Sequence, residues 1–144
     1  MLLLLGRGLS PPFLFPIYQD DRKSRPYGEK MFPEITVTEL GEKLKSDEKF
    51  ILLDVRELSE LAYAKVTDSR LEVTPMSRLA SEGVAALSES ARSQEIPVYV
   101  MCHHGSRSVQ VTMWLAQQGY KNMINVSGGI NEYASRVDSS VGFY

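Results

Sequence analysis

The sequence predicts an α/β fold, with a mostly parallel central sheet and helices on both faces. Two observations carry that expectation. Phe50–Val55 and Pro97–Met101 are short continuous apolar runs, the pattern of strands buried on both faces. Between and beyond them, stretches with apolar residues at helical spacing alternate with further short apolar runs, so strands and helices take turns along the chain. Such a chain uses right-handed crossovers and puts its chemistry beyond the carboxyl ends of the strands. Asp54 and Cys102 each close one of the two buried runs, so the topology brings both to one edge of the sheet.

Residues 1–30 read as a disordered or loosely packed extension, and 31–144 as the folded domain. Pro11, Pro12, Pro16 and Pro26 interrupt any regular element, and Asp20 to Arg25 is a charged run. Three origins fit the extension: a weak targeting peptide, a tail, or residues upstream of a start at Met31. Order is expected from Ile35. Thr36 and Glu39 have capping-box spacing, and Ile35 and Leu40 stand where a hydrophobic staple needs them, ahead of a helix over 37–46. The strand over 50–55 follows, then a short helix over 57–64. A weak strand over 71–74 stops at Pro75. Ser77 is placed to cap a helix over 78–91, anchored by Leu79, Val84 and Leu87. Pro97 opens the next strand at a position where no ladder donor is lost. A helix over 108–118 ends naturally at Gly119. Met123–Val126 is the next strand, Gly128-Gly129 a tight turn, and 129–137 the final helix. Residues 137–144 read as a tail that folds back on the domain. No internal repeat is present.

The 144 residues fit one domain able to bury a core without disulfides or metals. Apolar residues make up 43% of the chain and charged residues 24%, with a formal net charge of -2, so no clustered basic face for nucleic acid is expected. No apolar run reaches the length of a membrane span. A single cysteine excludes an intramolecular disulfide and a Cys-rich zinc site, and a free thiol favours a reducing, cytoplasmic compartment. Organellar import through residues 1–30 stays open beside that.

Cys102 lies at a strand end, ahead of a tight loop and a helix: Cys102-His103-His104-Gly105-Ser106-Arg107-Ser108. Gly105 lets the backbone curl, which turns several N–H groups inward as an anion nest. The helix adds its positive end and Arg107 a permanent cation; His103 and His104 add partial charge according to their protonation. Each feature stabilises a thiolate, and the same cradle suits a persulfide anion or an incoming oxyanion. The competing view, an inert buried cysteine, leaves the glycine, the arginine and the helix start without a purpose.

Leu53-Asp54-Val55-Arg56-Glu57, the Cys102–Ser108 loop and Gly128-Gly129-Ile130, with their spacing, resemble the motifs of a single-domain rhodanese-family sulfurtransferase, over about Ile35 to Tyr144. The resemblance implies that Cys102 takes the outer sulfur of thiosulfate or of a persulfide or polysulfide donor, and yields it to a thiol or cyanide. It implies a cradle from the amides of His103 to Arg107, loop side chains that tune the donor, and no cofactor. The partners implied are a small anionic sulfur donor and a thiophilic acceptor, which includes a protein sulfur acceptor. Phosphatases and arsenate reductases of the same fold are implied to use a loop one residue longer. Four residues separate Cys102 from Arg107, which favours sulfur transfer. The pattern departs at Tyr63–Arg70, which lacks the glycines that many family members carry there.

Other residues have plainer readings. Asp54 is expected to pair with Arg56 or cap a helix, and otherwise to position the loop. Arg56 is expected either to draw anionic donors to the rim or to pair with a carboxylate. Glu57 is expected to stabilise a helix start. The neighbours His103 and His104 are expected to point different ways in a tight loop, with no further ligands to complete a metal site. Val111, Trp114 and Leu115 are expected in the core. Three functions compete: a sulfurtransferase, a carrier that relays sulfur to a protein partner, and a non-catalytic interaction module. The retained cysteine argues against the third.

Overall fold

The computed structural model describes residues 32–144. The extension expected over 1–30 lies outside them. Five strands form one parallel sheet: β1 (Glu34–Ile35), β2 (Ile51–Asp54), β3 (Leu71–Val73), β4 (Val98–Met101) and β5 (Met123–Val126), in the order β1-β5-β4-β2-β3. The helices are α1 (Val37–Lys45), α2 (Met76–Glu82), α3 (Glu89–Arg92), α4 (Ser106–Gln117) and α5 (Gly129–Arg136), with 3-10 turns at Leu58–Ala62, Gly83–Ala86 and Ser139–Val141.

The apolar runs predicted to be strands are the central pair, and their alternation builds two cores. Ile51, Leu53 and Val55 of one strand, with Val98, Val100 and Cys102 of its neighbour, face α2, α3 and α4. Phe50, Leu52, Tyr99 and Met101 face α1 and α5. A run apolar at every position is what a strand covered on both sides requires. Cys102 thus continues the alternation of β4 and leaves its sulfur on the α4 side. Val111, Trp114 and Leu115 of α4 are buried there, as helical spacing predicts. Asp54 pairs with Met101 in register, so Asp54 and Cys102 do end neighbouring strands at the same edge.

At α1 the capping box is present, with Thr36 and Glu39 satisfying each other's backbone N–H at 3.1 Å. Ile35 and Leu40 join the same core cluster. The short β1, paired with β5, is too brief to read from periodicity.

The helix expected over 78–91 is three pieces instead. Gly83, at φ +67°, stops α2, a 3-10 turn follows, and Ser88 restarts the chain as α3 by accepting the Ala91 N–H at 3.1 Å. Pro75, rather than Ser77, stands at the α2 N-cap position. The Ser77 hydroxyl and N–H donate instead to the Glu57 carboxylate, at 2.6 and 3.1 Å, so Glu57 does serve a helix start, that of α2. The short helix expected over 57–64 is the 3-10 turn Leu58–Ala62.

Candidate active site

The loop after β4 closes on the sulfur of Cys102. Gly105, at φ +109°, adopts the left-handed conformation that lets α4 begin at once, two residues earlier than the sequence predicts. Ser106, Arg107 and Ser108 are therefore the first turn of the helix. A glycine has no side chain with which to cap that turn. The sulfur does it: Cys102 Sγ accepts the Ser108 N–H at 3.3 Å and the Gly105 N–H at 3.1 Å. The thiol also meets Ser108 Oγ at 3.4 Å, and that hydroxyl donates to the Gly105 carbonyl at 3.1 Å. A cradle was expected from the amides of His103 to Arg107; the two that meet Sγ are Gly105 and, one residue beyond that span, Ser108. Cys102 and Ser108 are buried, Gly105 is buried, and His104 and Ser106 are exposed.

The second support comes from α5. Its N–H groups at Ile130 and Asn131 donate to the carbonyls of Cys102 and His103, at 2.9 and 3.0 Å. Gly129, at φ +61°, brings them there: a Cβ on it would fall on those same carbonyl oxygens. Gly128 has a reason of its own: it takes the left-handed N-cap position of the helix at φ +85°.

Arg56 does not reach the rim. It is wholly buried. Its guanidinium grips Asp54 at 2.7–3.1 Å and donates to the carbonyls of Ala64 and Glu60 and to the Tyr144 hydroxyl. Burial of a cation demands that pairing, and the plainer expectation for both residues holds. Arg107 is also committed. Its two terminal nitrogens donate to the two oxygens of Glu60, at 2.7 and 2.9 Å. Those bonds hold the Glu60 carboxyl down to about 2, with burial opposing and the Tyr144 hydroxyl and Glu57 N–H assisting. The Arg107 guanidinium is raised in turn, first by Glu60, with the nearby Cys102 among the further causes.

Tyr144 completes the group. Its ring stacks on His103 with centroids 3.7 Å apart and an interplanar angle of 6°, and its hydroxyl donates to Glu60 at 2.7 Å. The predicted fold-back of the tail is real, and it ends on the loop. His103 and His104 do not point different ways as expected: their rings lie together, with centroids 3.8 Å apart. Burial, then the adjacent His104, lowers the His103 imidazole below its ordinary range, so it adds no full charge near neutral pH. Among the described residues no three His, Cys, Asp or Glu side chains gather to hold a metal. Glu60 and Tyr144 are the two members of the site that sequence reasoning does not single out. Glu60 sits three residues after Glu57, a spacing that reads only as a helix start. Tyr144 is 84 residues from Glu60, and only folding joins them.

A sequence profile of the rhodanese-like domain matches residues 36–136. This chain belongs to the rhodanese-like domain family. It is 34% identical over 115 residues to the Rhodanese-like/PpiC domain-containing protein 12, chloroplastic, of Arabidopsis thaliana, covering 77% of this chain and 37% of that protein. It is 32% identical over 104 residues to a sulfurtransferase of Allochromatium vinosum, covering 72% of this chain and 90% of that one. Among solved structures, a rhodanese-related protein of Thermoplasma volcanium superposes with a TM-score of 0.59 at 28% identity, over 74% of this chain and 94% of that chain. The chain thus spans little more than a third of the Arabidopsis relative and nearly all of the bacterial one.

Against the rhodanese pattern, the Tyr63–Arg70 segment holds its course by side chains and by the tail. Arg56 binds the Ala64 carbonyl at 2.9 Å, and the Lys65 N–H donates to the Val141 carbonyl at 2.9 Å. Arg70 pairs with Asp68 and donates to the carbonyls of Lys43, Leu44, Ser46 and Glu48. Among the described residues of this rhodanese-like chain, no helix is long and apolar enough to cross a membrane.

Proposed function

We propose that this protein is a sulfurtransferase that carries sulfur as a persulfide on Cys102. The observation that carries the reading is the pair of N–H donors, Gly105 and Ser108, aimed at a sulfur that ends a strand and caps a helix. A thiolate in that place keeps both bonds and gains from the positive end of α4. The Ser108 hydroxyl, now on the Gly105 carbonyl, is within reach of the same sulfur.

In the first half-reaction the Cys102 thiolate attacks the outer sulfur of thiosulfate or of a persulfide or polysulfide. The donor S–S bond breaks, and sulfite or a thiolate leaves with the electron pair. In the second, cyanide or a thiolate attacks the outer sulfur of the persulfide. The Cys102 thiolate leaves, and thiocyanate or a new persulfide departs. The exchange is ping-pong, with the side chain as both nucleophile and leaving group. The loop of six residues from Cys102 through Arg107 supports sulfur transfer over phosphoryl or arsenate chemistry. The acceptor includes a protein thiol, and the cytoplasm is the compartment in which such a thiol stays reduced.

The test is the intact mass of the protein before and after thiosulfate or a polysulfide, with and without a reducing thiol, beside Cys102→Ser. A reducible gain of one sulfur atom in the wild type alone is expected. Failure to gain sulfur from either donor overturns the reading, and so does a gain in Cys102→Ser.

A further inference from the structure

The arginines nearest the Cys102 loop offer no free charge to a substrate. Arg56 is buried on Asp54, and both terminal nitrogens of Arg107 are held by Glu60. The four charges cancel. Tyr144, through its hydroxyl, links the two pairs: it accepts from Arg56 at 3.1 Å and donates to Glu60 at 2.7 Å. The Glu60 carboxylate stays ionised throughout the range in which proteins work, so this neutralisation is permanent. The same tyrosine carries an aromatic surface. Its ring lies on His103 and, at 5.6 Å between centroids, beside Tyr63. Leu58, Tyr63, Phe143 and Tyr144 are the exposed large hydrophobic residues among those described, and they belong to two segments that meet next to the loop. A dianion thus meets backbone dipoles without a matching side-chain cation, while an apolar group meets rings.

We propose that Glu60 sets the charge class of the sulfur donor: by occupying Arg107 it fits the site to a singly charged organic sulfane-sulfur compound in preference to doubly charged thiosulfate. Tyr144 is the positioning residue that holds Glu60 in place and the wall against which the organic group lies. The inference rests on the sulfur-transfer reading and names its donor. The chemistry is that of the first half-reaction: Cys102 Sγ bonds to the outer sulfur, the donor S–S bond breaks, and the donor's remaining sulfur leaves as sulfinate or thiolate with the electron pair.

Three donors with the same kind of reacting bond separate charge from shape: thiosulfate, methanethiosulfonate and benzenethiosulfonate. Thiocyanate formation from each, with cyanide as acceptor, is measured for the wild type and Glu60→Gln at low ionic strength. The change in kcat/KM on substitution cancels the donors' intrinsic reactivities. Freeing Arg107 is expected to raise kcat/KM about tenfold for thiosulfate and about threefold for the two singly charged donors, because attraction scales with donor charge. Tyr144→Leu is expected to reduce the preference for benzenethiosulfonate over methanethiosulfonate about threefold by removing the ring surface. An equal effect of Glu60→Gln on all three donors, or a fall for thiosulfate alone, overturns the inference. Should Glu60→Gln not fold, the wild type decides: its kcat/KM for thiosulfate is expected to vary little with salt, and a steep decline marks a positive mouth and overturns the inference. If the wild type takes sulfur from none of the three donors, the sulfur-transfer reading itself falls, a result distinct from an unselective but active enzyme.

Discussion

Cys102 and Ser108 share one small hydrogen-bond system at a helix start, and the sulfur is an acceptor in it. Ser108→Ala removes the hydroxyl and leaves the N–H. About a tenfold slower loading of sulfur is expected, the value of roughly one hydrogen bond to a charged group. Stopped-flow or quenched mass measurements check it, and a rate equal to the wild type refutes the role given to the hydroxyl. Arg56 is different in kind. Both it and Asp54 are fully buried, so Arg56→Leu strands a carboxylate in the core. A loss of about 3–5 kcal/mol in urea unfolding is expected, from the uncompensated charge. A loss below about 1 kcal/mol excludes that account.

At the scale of elements, the loop is held between two helix starts. α4 binds the sulfur, and α5 binds the carbonyls of Cys102 and His103. Gly129 is the joint, with a positive φ and no room for a Cβ. Gly129→Ala is expected to cost about 3 kcal/mol, from backbone strain together with the clash. It is also expected to slow sulfur loading, because the loop must shift to admit the methyl group. Unfolding by urea and the loading rate, measured on one preparation, check both effects; a variant as stable as the wild type refutes the close approach. The broken helix after Pro75 carries a second lesson. Leu79, Val84 and Leu87 keep a helix-like apolar spacing, and all three pack on one core cluster. Gly83 at φ +67° and the Ser88 cap nevertheless divide the span, because each satisfies backbone groups that a continuous helix would leave differently placed.

For the whole molecule, pH couples the site to stability. The Glu60 carboxyl lies at about 2 in the folded chain against an ordinary value of 4.5. The unfolded state therefore binds its proton first. Stability from Glu60 is complete above pH 4.5 and is lost as pH falls toward 2. His103 acts in the same direction at higher pH: burial, then His104, lowers it from 6.5, so its share is complete above that pH and declines below it. The midpoint of urea unfolding is expected to fall in acid in two stages. Glu60→Gln is expected to flatten the lower stage and, by removing a charge that raises the His103 imidazole, to leave the upper stage in place or deepen it. An unchanged slope in the variant refutes the assignment.

Much of this protein was legible before folding because it rests on local rules. The continuous apolar runs of β2 and β4 announce strands covered on both faces, the Thr36–Glu39 spacing announces a capped helix, and a cysteine followed by glycine and a helix announces a loop that closes on its sulfur. One charge partner was legible and the other was not: Asp54 stands two residues before Arg56, whereas nothing near Arg107 in the sequence announces Glu60. Arg56 and Arg107 look alike in the sequence, as cations near the cysteine loop. Tertiary structure buries the first on Asp54 and hands the second to Glu60, 47 residues away, with Tyr144 closing the group from 84 residues away. The physical reason is range: periodicity and capping act over a few residues, whereas a desolvated charge takes whatever partner the fold brings within about 3 Å.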